Sequence, residues 1–418
     1  MILLMSVQGS GFKRTWIVKE AQEYIEKKMK RNFGTEEIPV IESLDRIVSH
    51  EIISQVNIPG FKRSAMDGFA VYAKDTFGAS ETSPVSLKLE GSVEIGDLQA
   101  PNHVPKTANR ISTGAPLPPG ADAVVKLEDT EVIGTNRVEI IAGVNTGTNV
   151  SKEDEDVKKG QLIFKPGILI KPWDIAMLAS IGIEKVSVHK KPKISVLSTG
   201  NELVQIGEKP KPGQVIDSNR PAIVAWLSKF PVEIVESSHS NDEPEQLKEV
   251  LNHLASTSDL IITTGGTSVG TRDYLPEIIR EIGELWIHGI SIRPGKPLAV
   301  GLIKSKDFDT PIIALPGYPL AAFINFELFV GHILSVWTKQ QIPWKTMKTV
   351  KLNQKVPSSE GLRDFVRLRE GNKGAEVIRI TGAGILSSLV TADYMLEVPE
   401  DTEGYHDGEE VEVRVLRG

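Results

Sequence analysis

The sequence predicts a multidomain protein of the α/β plus β class, on three observations. Short strands punctuated by glycine and proline run from about Asn57 to Val150. Strands then alternate with helical patterns of about ten residues from Lys193 to beyond Ile279, and short strands return near Thr346. At 418 residues with 40% hydrophobic content, the chain exceeds one compact core and has apolar surface for more than one. A net charge of −7 offers no basic field to release counterions from a phosphate backbone, so a general nucleic-acid binder is excluded. With no cysteine there is no disulfide, thiolate catalysis or cysteine-bound zinc, and oxygen ligands are the natural metal chemistry. The eight histidines form no HExxH pattern. No run is expected to approach the roughly eighteen apolar residues that span a bilayer, and MILLMSV at the N-terminus is too short for a secretory signal. The expected location is the cytoplasm, away from membranes.

From the N-terminus, apolar residues at Ile17, Ala21, Tyr24, Ile25 and Met29 predict an amphipathic helix over Ile17–Lys30. A second, short helix is expected over Ile41–Ile47. Asp67-Gly68 marks a turn before the strand-like FAVYA, and Thr113-Gly114-Ala115-Pro116 marks a second exposed loop. Asp67 by itself reads as a turn residue. The charged run Ser151–Gly160 reads as a solvated connector, and Trp173–Ile183 as a helix.

The central region is organised around DLIITTGGTSVGTRDYLPEII. Leu260–Thr264 is a buried parallel strand by composition, and it stops at glycine. Gly265 and Gly266 leave room for a ligand against the main chain, while Thr264, Thr267 and Ser268 add hydroxyls to a row of N–H groups suited to an anion. An ordinary strand-to-helix turn with Asp273 as its cap has the same residues. The neighbouring strands favour the ligand. Glu202, Asp242 and Asp273 each follow a strand end, where parallel sheets bind ligands, and three carboxylates gathered there are costly without a cation. Arg293 and Lys296, on the rigid turn RPGKP, bring the opposite charge. PIIALPGYPLAAFINFELFVGHIL predicts a buried strand, a turn through Pro316 and Pro319, and a long core helix. Arg363 and Arg367 are expected near loops of the C-terminal strands.

Taken together, SAMDGFA (64–70), STGAP (112–116), LSTGNEL (197–203), DSNR (217–220), TTGGTSVGTRDY (263–274), RPGKP (293–297) and LPGYP (315–319) resemble the molybdopterin molybdenumtransferases, the MoeA and gephyrin E-domain family. The resemblance follows the family's order along essentially the whole chain. It implies an elongated homodimer with a helical linker domain (1–56 and 151–190), an inserted β-domain (57–150), a three-layer α/β molybdopterin-binding domain (191–342) and a C-terminal β-domain (343–418). The active cleft would lie between the α/β domain of one subunit and the β-domain of the other. The implied reaction inserts molybdate, or tungstate, into adenylylated molybdopterin in a Mg²⁺-dependent step that releases AMP, with a molybdopterin adenylyltransferase acting upstream.

On this resemblance Thr264, Gly265, Gly266, Thr267 and Ser268 cradle the pterin phosphate, with Pro316 and Pro319 beside them. Glu202, Asp242 and Asp273 hold Mg²⁺ or position the pyrophosphate-like linkage; Arg293 and Lys296 match the family's basic pair in its Pro-Gly turn, and Arg367 the arginine that faces molybdate; Asp67 and Thr113 reach across from the partner. Three departures fall at the oxyanion end: Tyr318 and Ala321 in LPGYPLA, Ala383 where a serine is common, and Arg293 in place of the more usual lysine. Two other readings use the same domain: a non-catalytic molybdopterin-binding scaffold, and an adenylyltransferase or nucleotide pyrophosphatase, though neither of these two enzymes carries the SAMDGFA domain.

Overall fold

The computed structural model describes residues 15–267, 274–305, 309–341, 346–378 and 385–417. The chain forms two compact units, Glu36–Val188 and the remainder, which joins the segment through Thr35 to everything from His189 onward.

The first helix, α1 (Val18–Lys28), turns Val18, Ala21 and Ile25 inward. With Met29 these side chains join the core of the second unit, against Ile333 and Leu334 among others. Burying Ile25 and Met29 contributes about 1.5–3 kcal/mol each. The helix therefore packs on the α/β core, whereas the expectation groups residues 1–56 together as linker.

Within Glu36–Val188, the helix expected at 41–47 is replaced by a single 3₁₀ turn, Val40–Glu42. Seven residues cannot repay helix nucleation without a buried stripe, and Ile41 and Leu44 lie exposed. The main sheet of this unit is built from β1 (Gly68–Val71), β2 (Val85–Val93), β3 (Thr107–Ile111), β4 (Ala123–Lys126), β5 (Thr130–Ile133) and β6 (Arg137–Ile140), beside shorter two-stranded pairings. The order in the main sheet is β4-β1-β3-β2-β6-β5. Alternation along β1 and β4 buries both faces: Phe69, Val71 and Val125 pack in one cluster, Ala70 and Val124 in another. Helix α2 (Pro172–Ser180) is opened by Pro172 at its first position and by the Asp174 carboxylate accepting the Lys171 N–H at 2.8 Å.

In the second unit β7 (Lys193–Thr199), α3 (Asn219–Leu227), β8 (Glu233–Ser240), α4 (Pro244–Thr257), β9 (Leu260–Thr264), α5 (Leu275–Ile282), β10 (Gly283–His288), β11 (Ile292–Arg293), β12 (Ala299–Ile303) and β13 (Thr310–Leu315) follow in turn. The sheet order is β8-β7-β9-β13-β12-β10. Its first four strands are parallel, and β12 and β10 add an antiparallel edge. β9 is buried at all five positions, which is why its sequence shows a continuous apolar and β-branched run rather than alternation.

Helix α6 (Pro319–Asn325), a π-helical segment (Phe326–Gly331) and α7 (His332–Thr338) complete the α/β layers. This run is long and apolar enough to cross a membrane, with mean hydropathy 1.6, contrary to the expectation that no such stretch exists. Leu320, Phe326, Phe329 and Ile333 are instead fully buried in the core, so its apolarity is that of a central helix. The C-terminal sheet comprises β14 (Met347–Lys351), β15 (Arg363–Gly371), β16 (Gly374–Val377), β17 (Tyr394–Val398) and β18 (Glu410–Val415). Its order is β11-β15-β17-β18-β14, so β11, at the start of RPGKP, belongs to this sheet. Arg363 opens strand β15 directly after a turn, as expected, whereas Arg367 lies within the strand.

Candidate active site at the strand ends

The carboxyl ends of β7, β8, β9 and β13 open into a cavity of about 1150 Å³. Its floor is the glycine loop after β9. Gly265 and Gly266 adopt φ of +96° and +63°. A side chain on Gly265 would place its Cβ 2.4 Å from the Thr199 carbonyl oxygen, so only glycine fits where the β7 and β9 loops meet. The Gly265 N–H donates to Leu315 O at 3.1 Å, tying the loop to β13. Thr267 donates its hydroxyl to Pro297 O at 3.3 Å, and its own carbonyl lies 3.3 Å from His288 Nε2.

The carboxylates arrive from neighbouring loops. Glu202 folds back over Gly200, and both it and Asp242 line the cavity. The Asp242 N–H donates to Asn201 Oδ1 at 3.1 Å, which draws the loops after β7 and β8 together. His239 Nε2 lies 3.0 Å from Gly200 O behind them. The Asp217 carboxylate of DSNR is buried and accepts from Ser198 Oγ at 2.7 Å and Arg220 Nε at 2.8 Å, a structural knot rather than a ligand group. Its neighbour Asn219 donates to Gly317 O at 2.7 Å, holding LPGYP at the rim.

Of the residues singled out from the sequence, Thr264, Gly265, Gly266, Thr267, Glu202, Asp242, Pro316 and Pro319 all line this cavity. Ser268, Asp273 and Ala383 lie outside the described residues, and among those described no three Asp, Glu or His side chains gather as a metal cluster. Arg293 and Lys296 are not among the lining residues, although Pro297 of the same turn is. The Arg293 Nε donates to Asp364 Oδ1 at 2.6 Å and Nη2 pairs with the other carboxylate oxygen, so RPGKP is clamped to β15. Asn325, fully buried on α6, donates Nδ2 to Gly295 O at 2.8 Å and fixes the same turn from the opposite element. Lys296 O accepts N–H bonds from Ile290 and Leu298. Arg367 is half-buried on β15, and burial lowers its pKa. Tyr318 lines the cavity, whereas Ala321 is buried in α6. Sequence reasoning did not single out Asn219, Tyr274, His239 or His288; Asn219 sits inside a quoted motif, but the histidines act through contacts between distant strands.

In the other unit, Asp67 and Thr113 meet. Register Gly68↔Ile111 between β1 and β3 sets their loops side by side. Asp67 Oδ1 accepts the Thr113 N–H at 2.8 Å, and this bond holds the exposed carboxylate below its ordinary range. Gly68 is obligatory there, since a Cβ would come within 2.0 Å of Val125 O.

The site is a glycine-lined, carboxylate-edged ligand cavity at the strand ends of an α/β sheet, within a chain that also carries two β-sheet modules. Models of the MoeA N-terminal region (domain I and II), the probable molybdopterin binding domain and the MoeA C-terminal region (domain IV) match residues 17–182, 195–335 and 349–416. The chain is 36% identical to a putative molybdopterin biosynthesis protein of Methanocaldococcus jannaschii, with 96% of each covered. It is 31% identical to the molybdopterin molybdenumtransferase of Bacillus subtilis, covering 92% of this chain and 90% of that protein. A crystal structure of a molybdopterin biosynthesis MoeA protein from Pyrococcus horikoshii superposes with a TM-score of 0.82 at 36% identity, covering 97% of this chain and all (100%) of that one. This chain belongs to the MoeA family of molybdopterin molybdenumtransferases, enzymes of molybdenum cofactor biosynthesis.

Proposed function

We propose that this chain inserts molybdate, or tungstate, into adenylylated molybdopterin in a Mg²⁺-dependent step that releases AMP. The observation that carries the reading is the cavity itself, where a loop of two left-handed glycines and the carboxylates Glu202 and Asp242 face one space. Because Gly265 N–H is spent on Leu315, the phosphate cradle falls to the N–H groups of Gly266 and Thr267. Two carboxylates plus substrate phosphate oxygens are a donor set that suits Mg²⁺, and Asp273 would join Glu202 and Asp242 in holding it. Bound there, the ion would screen the phosphate charge that builds up as AMP leaves. Lys296, on a turn held by Asn325, is the cation we assign to molybdate. Arg293 takes part through its clamp on Asp364, and Arg367 lends a poorly solvated positive charge.

The functional molecule in this reading is a cytoplasmic homodimer of four-domain subunits, fed by a molybdopterin adenylyltransferase. Asp67 and Thr113 of each β-domain serve the α/β domain of the partner subunit. Tyr318 lines the cavity, and in this reading its bulk in place of a compact residue favours relaxed discrimination between molybdate and tungstate. The test is AMP release from adenylylated molybdopterin and Mg²⁺ with molybdate, with tungstate, or with neither. Oxyanion-dependent release is expected. Binding without any release would sink the transferase reading and leave a scaffold.

A further inference from the structure

A second cavity, of about 330 Å³, lies in the same unit between α3, α6 and the C-terminal sheet. Its walls are apolar, from Trp226, Leu320, Phe323, Leu389 and Met395. The Trp226 ring packs edge-on to Phe323 at 4.9 Å and tilted on Phe326 at 5.0 Å, which makes one wall rigid and aromatic.

Its polar groups are few and unbalanced. Arg414 and Glu327 form an ion pair with side chains only 13% and 12% exposed. Arg417 adds a second positive charge at the rim, and among the described residues no other charged side chain lines the cavity. Glu327 thus neutralises one of two arginines. Arg414 Nε, buried, has no hydrogen-bond acceptor among the described residues. Burial also pushes this guanidinium down to about 10, as expected where water does not solvate it. Arg417, exposed at the rim, is the guanidinium open to a carboxylate entering the cavity.

We propose that this cavity binds a small amphipathic monoanion, an aromatic carboxylate of one or two fused rings, with its ring system against Trp226 and Phe323 and its anionic group at the rim on Arg417. The volume lies at the small end of ligand pockets, roughly 300–1000 Å³, and fits such a body. A neutral ligand of the same shape would leave the Arg417 charge at the rim unmatched. This site does not depend on the reaction proposed above.

The test is calorimetric titration of the full chain with naphthalene-2-carboxylate and, separately, with its neutral amide. One-to-one binding of the carboxylate, about tenfold or more tighter than the amide, is expected. Arg417→Gln, an exposed position, should weaken the carboxylate severalfold and leave the amide unchanged. Leu389→Trp should fill the cavity and abolish binding; if that variant does not fold, Val390→Trp fills the same space from a rim position that is 53% exposed. No binding at millimolar carboxylate, equal affinity for the amide, or unchanged binding in the filled variant would each overturn the proposal.

Discussion

At Gly265 the left-handed conformation and the 2.4 Å approach to Thr199 O leave no place for even a methyl group. Gly265→Ala should therefore destabilise the chain by about 1–3 kcal/mol and shift the loop off the phosphate position. A lower urea midpoint and at least tenfold weaker binding of adenylylated molybdopterin would bear this out; unchanged binding would detach the loop from the ligand. Asp67 is a different kind of residue, exposed and defined by one bond. Its folded pKa is depressed by the Thr113 N–H, so its contribution to loop pairing is present above the ordinary carboxylate value and is lost as pH falls through the folded value. Carboxyl carbon NMR should show Asp67 titrating below the usual range, and Thr113→Pro, which removes the donor N–H, should return it upward. Both turns are readable as turns, from Asp67-Gly68 and Thr113-Gly114. Their partnership is not, because 46 residues separate them and only the β1–β3 register joins them.

Among elements, the turn at 293–297 is held by its neighbours more than by its own sequence. β11 enters the C-terminal sheet beside β15, Arg293 grips Asp364 there, and Asn325 holds Gly295 from α6. Gly295 itself must be glycine, since at φ +121° a Cβ would lie 2.5 Å from Asn325 Nδ2. Asp364 is 3% exposed and also accepts from Ser358 Oγ at 2.5 Å, so its charge is used in full. Asp364→Asn should cost about 1.5–3 kcal/mol, the range for hydrogen bonds to a charged group, read as a lower denaturation midpoint. If Lys296 depends on this clamp, the variant should also raise the molybdate concentration needed for half-maximal AMP release while leaving substrate binding intact. The strands and helices of the α/β sheet are legible in the sequence because period and punctuation are local properties. The clamp is not, since Arg293 and Asp364 are 71 residues apart and a charged turn gives no sign of which distant carboxylate will claim it.

For the molecule as a whole, the net charge of −7 means that anionic ligands are held by local geometry and not by a general field. That places weight on which groups meet around each ligand. The carboxylates Glu202 and Asp242 belong to one unit and the Asp67–Thr113 pair to the other, and the proposed reaction needs both sets. If the cleft is completed across a dimer, Asp67→Ala and Glu202→Ala each inactivate both sites of their own homodimer. Unfolding and refolding the two variants together changes the outcome. Half of the dimers formed from equal amounts are mixed, and each mixed dimer has one site carrying both lesions and one carrying neither. Activity should recover to about a quarter of wild type by statistical pairing alone. If instead each cleft is completed within a single chain, every site keeps one lesion and the mixture stays as inactive as its components. AMP release from the mixture, beside sedimentation analysis confirming dimers in all three samples, separates the two arrangements.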